Sequence, residues 1–346
     1  MARTVERILI VKLSALGDFV LALAAMKKIR ASHPKAHITL LTTPPFEALA
    51  KICPYFNAVD TGGRPETFAQ WMALRARIKA AGYDRVYDLQ TSAHSNRIFQ
   101  ALRPGPPAWS GVAFGCALPH KNPLRNQMHT LERQADQLMY AGIWPDAPTE
   151  PGTAPAPDLS WIWKNQPAER PVPGGVKPRP YVMFVPGGSA HRPEKRWPVE
   201  RYSELARILY ARGFDVVIIG GPTESELAHA IQRAVPRARD LTGRTDFARI
   251  AMLGAKAALA VGNDTGPLHL AAALGKPCVA PYLCTKVALH GPYTQTANCV
   301  ETAVPCGGSY LKKCGNMVCM PELTPDRLWP KLAETLDAWQ RTSRSA

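Results

Sequence analysis

Short, continuous apolar runs recur along this chain, each followed by a longer amphipathic segment, and they limit the folds open to it. Residues 7–13 (RILIVKL) form such a run, and residues 19–30 (FVLALAAMKKIR) have the spacing of an amphipathic helix. A strand that is apolar at every position is typical of a parallel sheet covered by helices on both faces. The alternation continues to residue 102 and restarts at Tyr181. The sequence therefore predicts an α/β fold with parallel sheets.

The length of the chain and one proline-rich stretch divide this pattern into two halves. The chain has 346 residues, which suits two domains of about 170 residues each. Ten prolines lie between residues 145 and 180, as expected for a linker. We predict a first domain at residues 1–165, a second at residues 166–325 and a final helical segment at residues 326–346.

The charge of the chain favours an anionic partner. Lys and Arg number 42 against 27 Asp and Glu, for a net charge of +15, which suits nucleic acid, an anionic membrane surface or a phosphorylated substrate. We rank nucleic acid last, because the basic residues are spread along the chain without a nucleic-acid-binding motif. No apolar run reaches the roughly 20 residues that cross a bilayer, so we expect a cytoplasmic protein, with peripheral attachment to a membrane as an option. The late cysteines include no C-x-x-C pair, and we expect neither disulfides nor a metal site.

The apolar run at residues 257–261 ends in a turn that suits an anion. The turn, residues 262–267 (GNDTGP), comes directly before a helical pattern. Gly266 leaves room for a ligand, and the amino end of the helix directs free N–H groups and a positive dipole into the turn. Asp264 can accept hydrogen bonds from hydroxyl groups, and His269 lies one helical turn beyond the loop. Phosphate beside hydroxyl groups indicates a sugar nucleotide; the alternative is an ordinary turn in which Asp264 caps the helix.

A second turn of this kind follows the apolar run at residues 181–185. Gly187 and Gly188 allow backbone N–H groups to approach an anion, Ser189 adds a hydroxyl group, and Lys195 adds positive charge. Two phosphate-adapted turns in one domain predict a diphosphate ligand. The alternative is a plain surface loop.

Two further positions in the second half fit a nucleotide. Glu224 follows the buried run at residues 215–220 (DVVIIG), where an acidic residue can bind the hydroxyl pair of a ribose. The alternative is that Glu224 only stabilises the first turn of a helix, because its negative charge lies near the positive end of the helix dipole. Gly243 lies in a short strand and turn at residues 240–245, which could border the base.

In the first half, the loop from Ser14 to Asp18 carries one glycine rather than the G-x-G-x-x-G of a dinucleotide site, which disfavours a nicotinamide enzyme. Asp18 stands at the start of a helix, on the side of the sheet where ligands bind. Two roles remain open for it, a general base and a charge that stabilises the helix.

Candidate acceptor contacts also occur in the first half. Gln90 and His94 follow the predicted strand at residues 83–89, in a loop before a helix at residues 96–102. His129 and Arg133 lie four positions apart in a predicted helix at residues 128–141 and could present charge to an anionic acceptor. The alternative for all four is ordinary solvated surface. The Gly- and Pro-rich residues 103–126 predict a mobile loop.

With these residues in view, the chain resembles the heptosyltransferases of glycosyltransferase family 9, bacterial enzymes that add heptose from ADP-heptose to the lipopolysaccharide inner core. The resemblance covers nearly all of the chain outside the linker. It implies a GT-B fold, in which two Rossmann-like domains face each other across a cleft and the final helix crosses back to the first domain. The motifs that carry it are ILIVKLSALGD, VPGGSAHRPEKRWP, IIGGPTESE, LTGRTDFARIAMLGAKAALAVGNDTGPLHLAAALGKP and CGGSYLKKCGNMVCMPELTP.

The resemblance also implies roles for single residues. Asp18 is the catalytic base, with Ser14 nearby. Lys195 contacts the donor diphosphate, Glu224 lies by the ribose, and Asp264 holds the sugar hydroxyl groups. The remaining donor-binding positions are Ser14, Ser189, Gly243, Thr265, Gly266 and His269.

The implied reaction is an inverting transfer that uses ADP-heptose as a substrate and needs no metal or other cofactor. The implied acceptor is an anionic glycolipid of the Kdo-lipid A type at the inner face of the cytoplasmic membrane. Three alternatives stay open: another nucleotide sugar, a protein acceptor, and a non-catalytic protein that binds lipopolysaccharide precursors. Two departures from the family pattern stand out, the segment at residues 282–286 (YLCTK) and the long proline-rich linker.

Overall fold

A computed structural model describes residues 5–148, 150–163, 179–189, 192–311 and 314–344 of the chain. Contacts within the chain divide it into two compact units, Met1–Ile162 and Trp163–Ala346. The predicted boundary between residues 165 and 166 lies outside the described residues, so the limits of the two domains stay predictions.

The first unit alternates strands and helices as the apolar runs predict. Its strands are β1 (Arg7–Val11), β2 (His37–Leu41), β3 (Ala58–Asp60), β4 (Arg85–Asp88), β5 (Ala108–Gly111) and β6 (Leu118–Pro119). Its helices are α1 (Leu16–Ser32), α2 (Glu47–Ile52), α3 (Phe68–Ala81), α4 (Ala93–Ala101) and α5 (Thr130–Tyr140). The described strands form one parallel sheet in the order β3-β2-β1-β4-β5-β6. The order reverses next to β1, so the carboxyl ends of β1 and β4 form the edge where such sheets bind ligands.

The second unit repeats this plan. Its strands are β7 (Tyr181–Val185), β8 (Asp215–Ile218), β9 (Arg239–Asp240), β10 (Leu259–Gly262), β11 (Cys278–Tyr282) and β12 (Cys299–Glu301). Its helices are α6 (Val199–Ala211), α7 (Ser225–Ala234), α8 (Phe247–Lys256), α9 (Gly266–Ala273), α10 (Val287–His290), α11 (Cys319–Glu322) and α12 (Pro325–Arg344). The described strands form a parallel sheet in the order β12-β11-β10-β7-β8-β9. The predicted α/β class, with two Rossmann-like units, is confirmed.

Two local predictions in the first unit are wrong. Helix α1 begins at Leu16, three residues before its predicted start, and Asp18 therefore lies in its first turn. Residues 103–126, predicted as a mobile loop, contain β5 and β6, which extend the sheet beyond β4. Strands of four and two residues that contain glycine or proline show too little alternation to be recognised from sequence.

The last helix, α12, packs on the core of the second unit. Leu328, Leu332 and Leu336 recur every four residues along it, and all three are buried in the cluster formed by the strands and helices of that unit. The Trp339 ring meets the Phe214 ring edge to face at 5.8 Å between centroids. The predicted return of this segment to the first domain stays a prediction. None of the helices in the described ranges, α12 included, is long and apolar enough to cross a membrane.

Candidate functional site

One buried side chain joins two loops at the carboxyl edge of the second sheet. Asn263 directly follows β10 and is fully enclosed. Its amide nitrogen donates to the carbonyl oxygens of Pro186 and Gly187 at 2.8 and 2.9 Å. Its oxygen accepts hydrogen bonds from the Trp197 N–H at 2.9 Å and the Tyr202 hydroxyl at 3.1 Å. Asn263 thus fixes the loop after β7 against the loop after β10. It is absent from the predicted set, although a polar residue directly after an apolar strand is a sign of such a role.

Asp264 is the centre of a charged cluster between these two loops. The Lys195 ammonium lies 2.5 Å from Oδ2 of Asp264, and the Thr285 hydroxyl donates to the same oxygen at 3.1 Å. Nε2 of His269 lies 3.5 Å from Oδ1. The structure therefore brings together three residues predicted from sequence, Lys195, Asp264 and His269. Thr285 is an addition, and it lies in the segment that departs from the family pattern.

The cluster keeps Asp264 ionised. Its side chain is only 11% exposed, and burial by itself raises the pKa of a carboxyl group. The hydrogen bond from His269 and the positive charge of Lys195 outweigh burial, and they hold the pKa of Asp264 well below its usual range. Asp264 is therefore a charged acceptor for hydrogen bonds throughout the neutral pH range.

Helix α9 directs its amino end toward the same place. Its N-cap residue is Thr265, and Gly266 begins the helix. The alternative in which Asp264 merely caps this helix is therefore wrong. Buried polar atoms without a hydrogen-bond partner among the described residues include Oγ1 of Thr265, Nδ1 of His269 and Nε of Arg196. Buried polar atoms rarely lack a partner, so these three atoms mark a place where a polar ligand can bind.

Glu224 lies on the other side of the glycine-rich loop. Its Oε1 accepts a hydrogen bond from the Gly188 N–H at 2.8 Å, and its Oε2 accepts one from the Gly221 N–H at 2.7 Å. A Cβ atom at Gly187 would overlap Oε1 of Glu224. Position 187 is glycine, then, because the carboxylate occupies the space that a side chain would need.

Two more predicted donor-binding residues lie in the same part of the second unit. Gly243 has a φ of +68°, which favours glycine, and its N–H donates to the Gly220 carbonyl at 2.9 Å. The carbonyl of Ser189 accepts the Arg192 N–H at 3.0 Å, in the loop between β7 and α6. The contacts of both residues with a donor stay predictions.

In the first unit, Asp18 lies in the first turn of α1, just past the end of β1. Its Oδ2 accepts the Ala15 N–H at 3.4 Å. Lys12, at the end of the same apolar run, is buried and donates to the Leu89 carbonyl at 3.3 Å. Burial lowers the pKa of Lys12, and the negative charge of Asp18 acts in the opposite direction. A buried lysine therefore belongs to the electrostatic surroundings of the predicted base.

Gln90 shapes the loop that leads to Asp18. Its amide oxygen accepts hydrogen bonds from the N–H groups of Leu13 and Ser14 at 2.9 and 3.2 Å. The Ser14 hydroxyl accepts a hydrogen bond from the guanidinium group of Arg64 at 2.7 Å. Gln90 and Ser14 are thus brought together as β1 and β4 lie side by side. Arg64 adds a cation that the sequence patterns do not indicate, since it lies fifty residues away in the chain.

The other predicted acceptor residues have different surroundings. His94 lies within α4 rather than in the loop before it, where its Nε2 donates to the Gly63 carbonyl at 3.0 Å. His129 is buried and precedes α5 as its N-cap, where Nδ1 accepts a backbone N–H of the first turn at 3.2 Å. The predicted charged face shared by His129 and Arg133 is therefore wrong for His129, because its ring caps the helix in the interior. Contact of these residues with an acceptor stays a prediction.

Asp88 is a buried acid at the end of β4, outside the predicted set. Its Oδ1 accepts the N–H groups of Gln90 and Thr91 at 3.0 and 2.9 Å. Burial raises the pKa of Asp88 to about 6, although these hydrogen bonds act against the increase. The carboxyl edge of the first sheet thus contains an acid that titrates close to neutral pH.

Within the described ranges, no three His, Cys, Asp or Glu side chains are placed to hold a metal ion. All eight cysteines, including the six in the last quarter of the chain, are free thiols.

Comparisons with known proteins match the chain to one family. The model of glycosyltransferase family 9 (heptosyltransferase) matches residues 71–317. The chain is 28% identical over 299 residues to lipopolysaccharide heptosyltransferase 2 of Escherichia coli K12, covering 80% of this chain and 82% of that protein. It is similar to the structure of E. coli ADP-heptose lipopolysaccharide heptosyltransferase II, with a TM-score of 0.70, 23% identity and coverage of 96% of this chain and 99% of the other. A glycosyltransferase family 9 protein from Veillonella parvula has a TM-score of 0.75 at 21% identity, with 97% of this chain and 98% of the other covered.

Replacing Asn263 by aspartate should destabilise the second unit. The carboxylate matches the amide in size, but it cannot donate to the carbonyl groups of Pro186 and Gly187, and it brings a charge into the interior. We expect the free energy of unfolding to fall by roughly 3 kcal/mol in urea unfolding followed by tryptophan fluorescence. Asn298→Asp, at a partly exposed position, is the matched control and should change stability by less than about 0.5 kcal/mol. Equal losses in the two variants would contradict the role of Asn263.

Replacing Asp88 by asparagine should change how stability depends on pH. The pKa of Asp88 is about 6 in the folded protein, against 3.8 for an ordinary aspartate, so folding favours the protonated acid. This contribution to stability is present at pH values below the ordinary pKa and is lost as the pH rises through the folded one. Relative to Asp88→Asn, the unfolding free energy of the natural chain should fall by roughly 2 kcal/mol from about pH 4 to about pH 8 in urea titrations. A difference independent of pH would show that the pKa is not raised.

Proposed function

This chain belongs to glycosyltransferase family 9, and we propose that it transfers a heptose from ADP-heptose to an anionic lipopolysaccharide inner-core acceptor of the Kdo-lipid A type. The names of the E. coli relatives include ADP-heptose and lipopolysaccharide. Glycosyl transfer is the activity of the family. The donor, the acceptor and the stereochemistry are the proposed parts.

One observation carries the donor proposal. The ion pair of Lys195 and Asp264 lies with His269 and Thr265 at the amino end of α9, and polar atoms of His269, Thr265 and the nearby Arg196 lack partners among the described residues. Cationic and neutral donors suit a diphosphate, and a carboxylate suits sugar hydroxyl groups. These two ligand chemistries occur side by side in a nucleotide sugar.

Each part of the donor then has a proposed partner. The diphosphate binds Lys195, Ser189 and the free N–H groups around Thr265 and Gly266, and His269 completes this side. Asp264 accepts hydrogen bonds from the heptose hydroxyl groups. On the other side of the loop, Glu224 has lone pairs left for the ribose hydroxyl pair after accepting two backbone N–H groups. Gly243 lies toward the base.

The chemical step is a single displacement with inversion. Asp18 removes a proton from an acceptor hydroxyl group while that oxygen attacks the anomeric carbon, and the bond to the ADP oxygen breaks. Positive charge develops on the sugar ring and negative charge on the departing diphosphate. Lys195 and the amino end of α9 stabilise the second charge, a task that a divalent cation performs in other transferases. We infer that transfer needs no added metal.

The acceptor proposal rests on a cation close to the predicted base. The Arg64 guanidinium group contacts Ser14 in the loop before Asp18. Together with the net charge of +15, it favours an acceptor with carboxylate or phosphate groups. A glycolipid acceptor of this kind implies a cytoplasmic enzyme that works at the inner face of the membrane.

Two variants should separate chemistry from donor binding. Asp18→Asn keeps the size of the side chain but removes the base, so we expect transfer from ADP-heptose to fall roughly a thousandfold, with ADP affinity unchanged by calorimetry. Lys195→Ala should instead weaken ADP binding by about tenfold or more, because a charge-assisted hydrogen bond is lost. Lys331→Ala, a partly exposed lysine on α12, is the control. Asp18→Asn with the activity of the natural chain would refute the base assignment.

A donor screen tests the identity of the sugar nucleotide. The purified protein is incubated with a Kdo-lipid A acceptor and with ADP-, GDP- or UDP-linked sugars, and the products are measured by mass spectrometry. We expect a product from ADP-heptose, with the configuration at the anomeric carbon inverted by NMR. Preference for a guanine or uracil nucleotide would refute the donor. Transfer to a protein but not to the lipid would refute the acceptor, and no turnover of any donor would indicate a binding protein.

A further inference from the structure

We propose that helices α3 and α4 of the first unit form a docking surface for an anionic phospholipid bilayer. Its apolar contacts are Phe68, Met72 and Phe114, and the charged side chains of the two helices are basic. The proposed transfer reaction gives a reason for membrane contact, but the docking surface is inferred from side-chain exposure and charge alone.

The apolar side chains stand out by their exposure. Phe68 is 80% exposed and Phe114 is 87% exposed, the largest fractions among the exposed large apolar side chains of the described residues. Met72 lies four residues after Phe68 in α3, so the two side chains share one side of the helix. The core contacts of α3 are made instead by Leu74 and Ile78. Phe68 and Met72 therefore form an outward-facing pair that folding leaves in water.

Phe114 lies beyond α4 and is held there by hydrogen bonds. It occupies a tight turn in which the Cys116 N–H donates to the Ala113 carbonyl at 3.1 Å. The Phe114 carbonyl accepts hydrogen bonds from Gln100 of α4 at 3.3 Å and from Arg103 at 3.0 Å. These bonds fix the backbone of the turn against α4 while the aromatic ring points into solvent. The turn therefore presents an ordered, exposed aromatic ring beside α4.

Helices α3 and α4 lie on the same side of the first sheet. Leu74 and Ile78 of α3 pack in one core cluster with Ile98 and Phe99 of α4. The guanidinium group of Arg75 in α3 also donates to the Ala101 carbonyl at the end of α4, at 2.8 Å. Helices α3 and α4 therefore form one layer, with Phe68 and Met72 on α3 and the Phe114 turn bonded to α4.

The positive charge of this layer favours an anionic partner. Neither α3 nor α4 contains an acidic residue. The basic residues of this layer and its edge are Arg75, Arg77, Lys79, Arg97 and Arg103, of which Arg77 is paired with Asp60. Exposed aromatic residues among lysines and arginines are the features by which peripheral proteins bind anionic lipid. A neutral or cationic partner would leave these charges unmatched.

Vesicle flotation of the full chain tests the proposal without either substrate. We expect binding to phosphatidylethanolamine vesicles that contain phosphatidylglycerol, weaker binding at high salt, and little binding to phosphatidylcholine vesicles. Phe68→Ser combined with Phe114→Ser should lower the partition coefficient by about tenfold or more. Leu124→Ser combined with Val318→Ser removes two exposed apolar side chains elsewhere and should leave binding unchanged.

Glu66 offers a test in the opposite direction. It is exposed just before α3, so Glu66→Lys should strengthen binding to the anionic vesicles and leave phosphatidylcholine unaffected. Equal binding of the natural chain and the Phe68/Phe114 variant would overturn the proposal. So would equal losses in the control variant, or self-association through this surface in sedimentation without vesicle binding. Transfer to a detergent-dispersed acceptor should persist in the Phe68/Phe114 variant, so failure of the proposed function and failure of membrane docking are distinguishable.

Discussion

Asn263 holds the loop after β7 and the loop after β10 together through hydrogen bonds from both ends of its amide group. The charged residues of the site depend on this tie, since Asp264 is its neighbour in one loop and Lys195 belongs to the other. A shift of either loop by one or two ångströms would separate the ion pair. The electrostatics of the second unit are thus set by a neutral, fully buried side chain, and polar groups in such a position must all be satisfied at once.

The pair of Lys195 and Asp264 gives each partner a counter-charge in the protein itself. Burying either charge alone would be costly, and the pairing, with the hydrogen bonds of Thr285 and His269, offsets part of that cost. Under the proposed function, a diphosphate offers Lys195 a second anion and sugar hydroxyl groups offer Asp264 new donors. Ligand binding then exchanges one set of charge-assisted hydrogen bonds for another, and no buried charge has to be created during the exchange.

The sequence patterns predict the repeating strands and helices of the fold. They do not predict contacts between segments that are distant in the chain. Strands β1 and β10 are continuous apolar runs, and their position before a turn and a helix is enough to locate Asp18 and Asp264. Strands β5 and β6 escape prediction, because they are too short for a period to appear. The contacts of Asn263 span 61 to 77 residues, and that of Arg64 with Ser14 spans 50, so periodicity contains no information about them. The predicted exposed face of His129 is wrong because His129 is the N-cap of α5. In the sequence, a residue at the boundary of a helix looks the same as one within it.

The carboxylate of Glu224 fills the volume where residue 187 would carry its first side-chain carbon. Neither position is free to vary by itself: a larger residue at 187 has no space while the acid is present, and losing the acid leaves two backbone N–H groups without an acceptor. Among descendants of this chain, the two sites should drift as a coupled pair. A lineage that abandons the glycine must shorten or relocate the acid in the same evolutionary step.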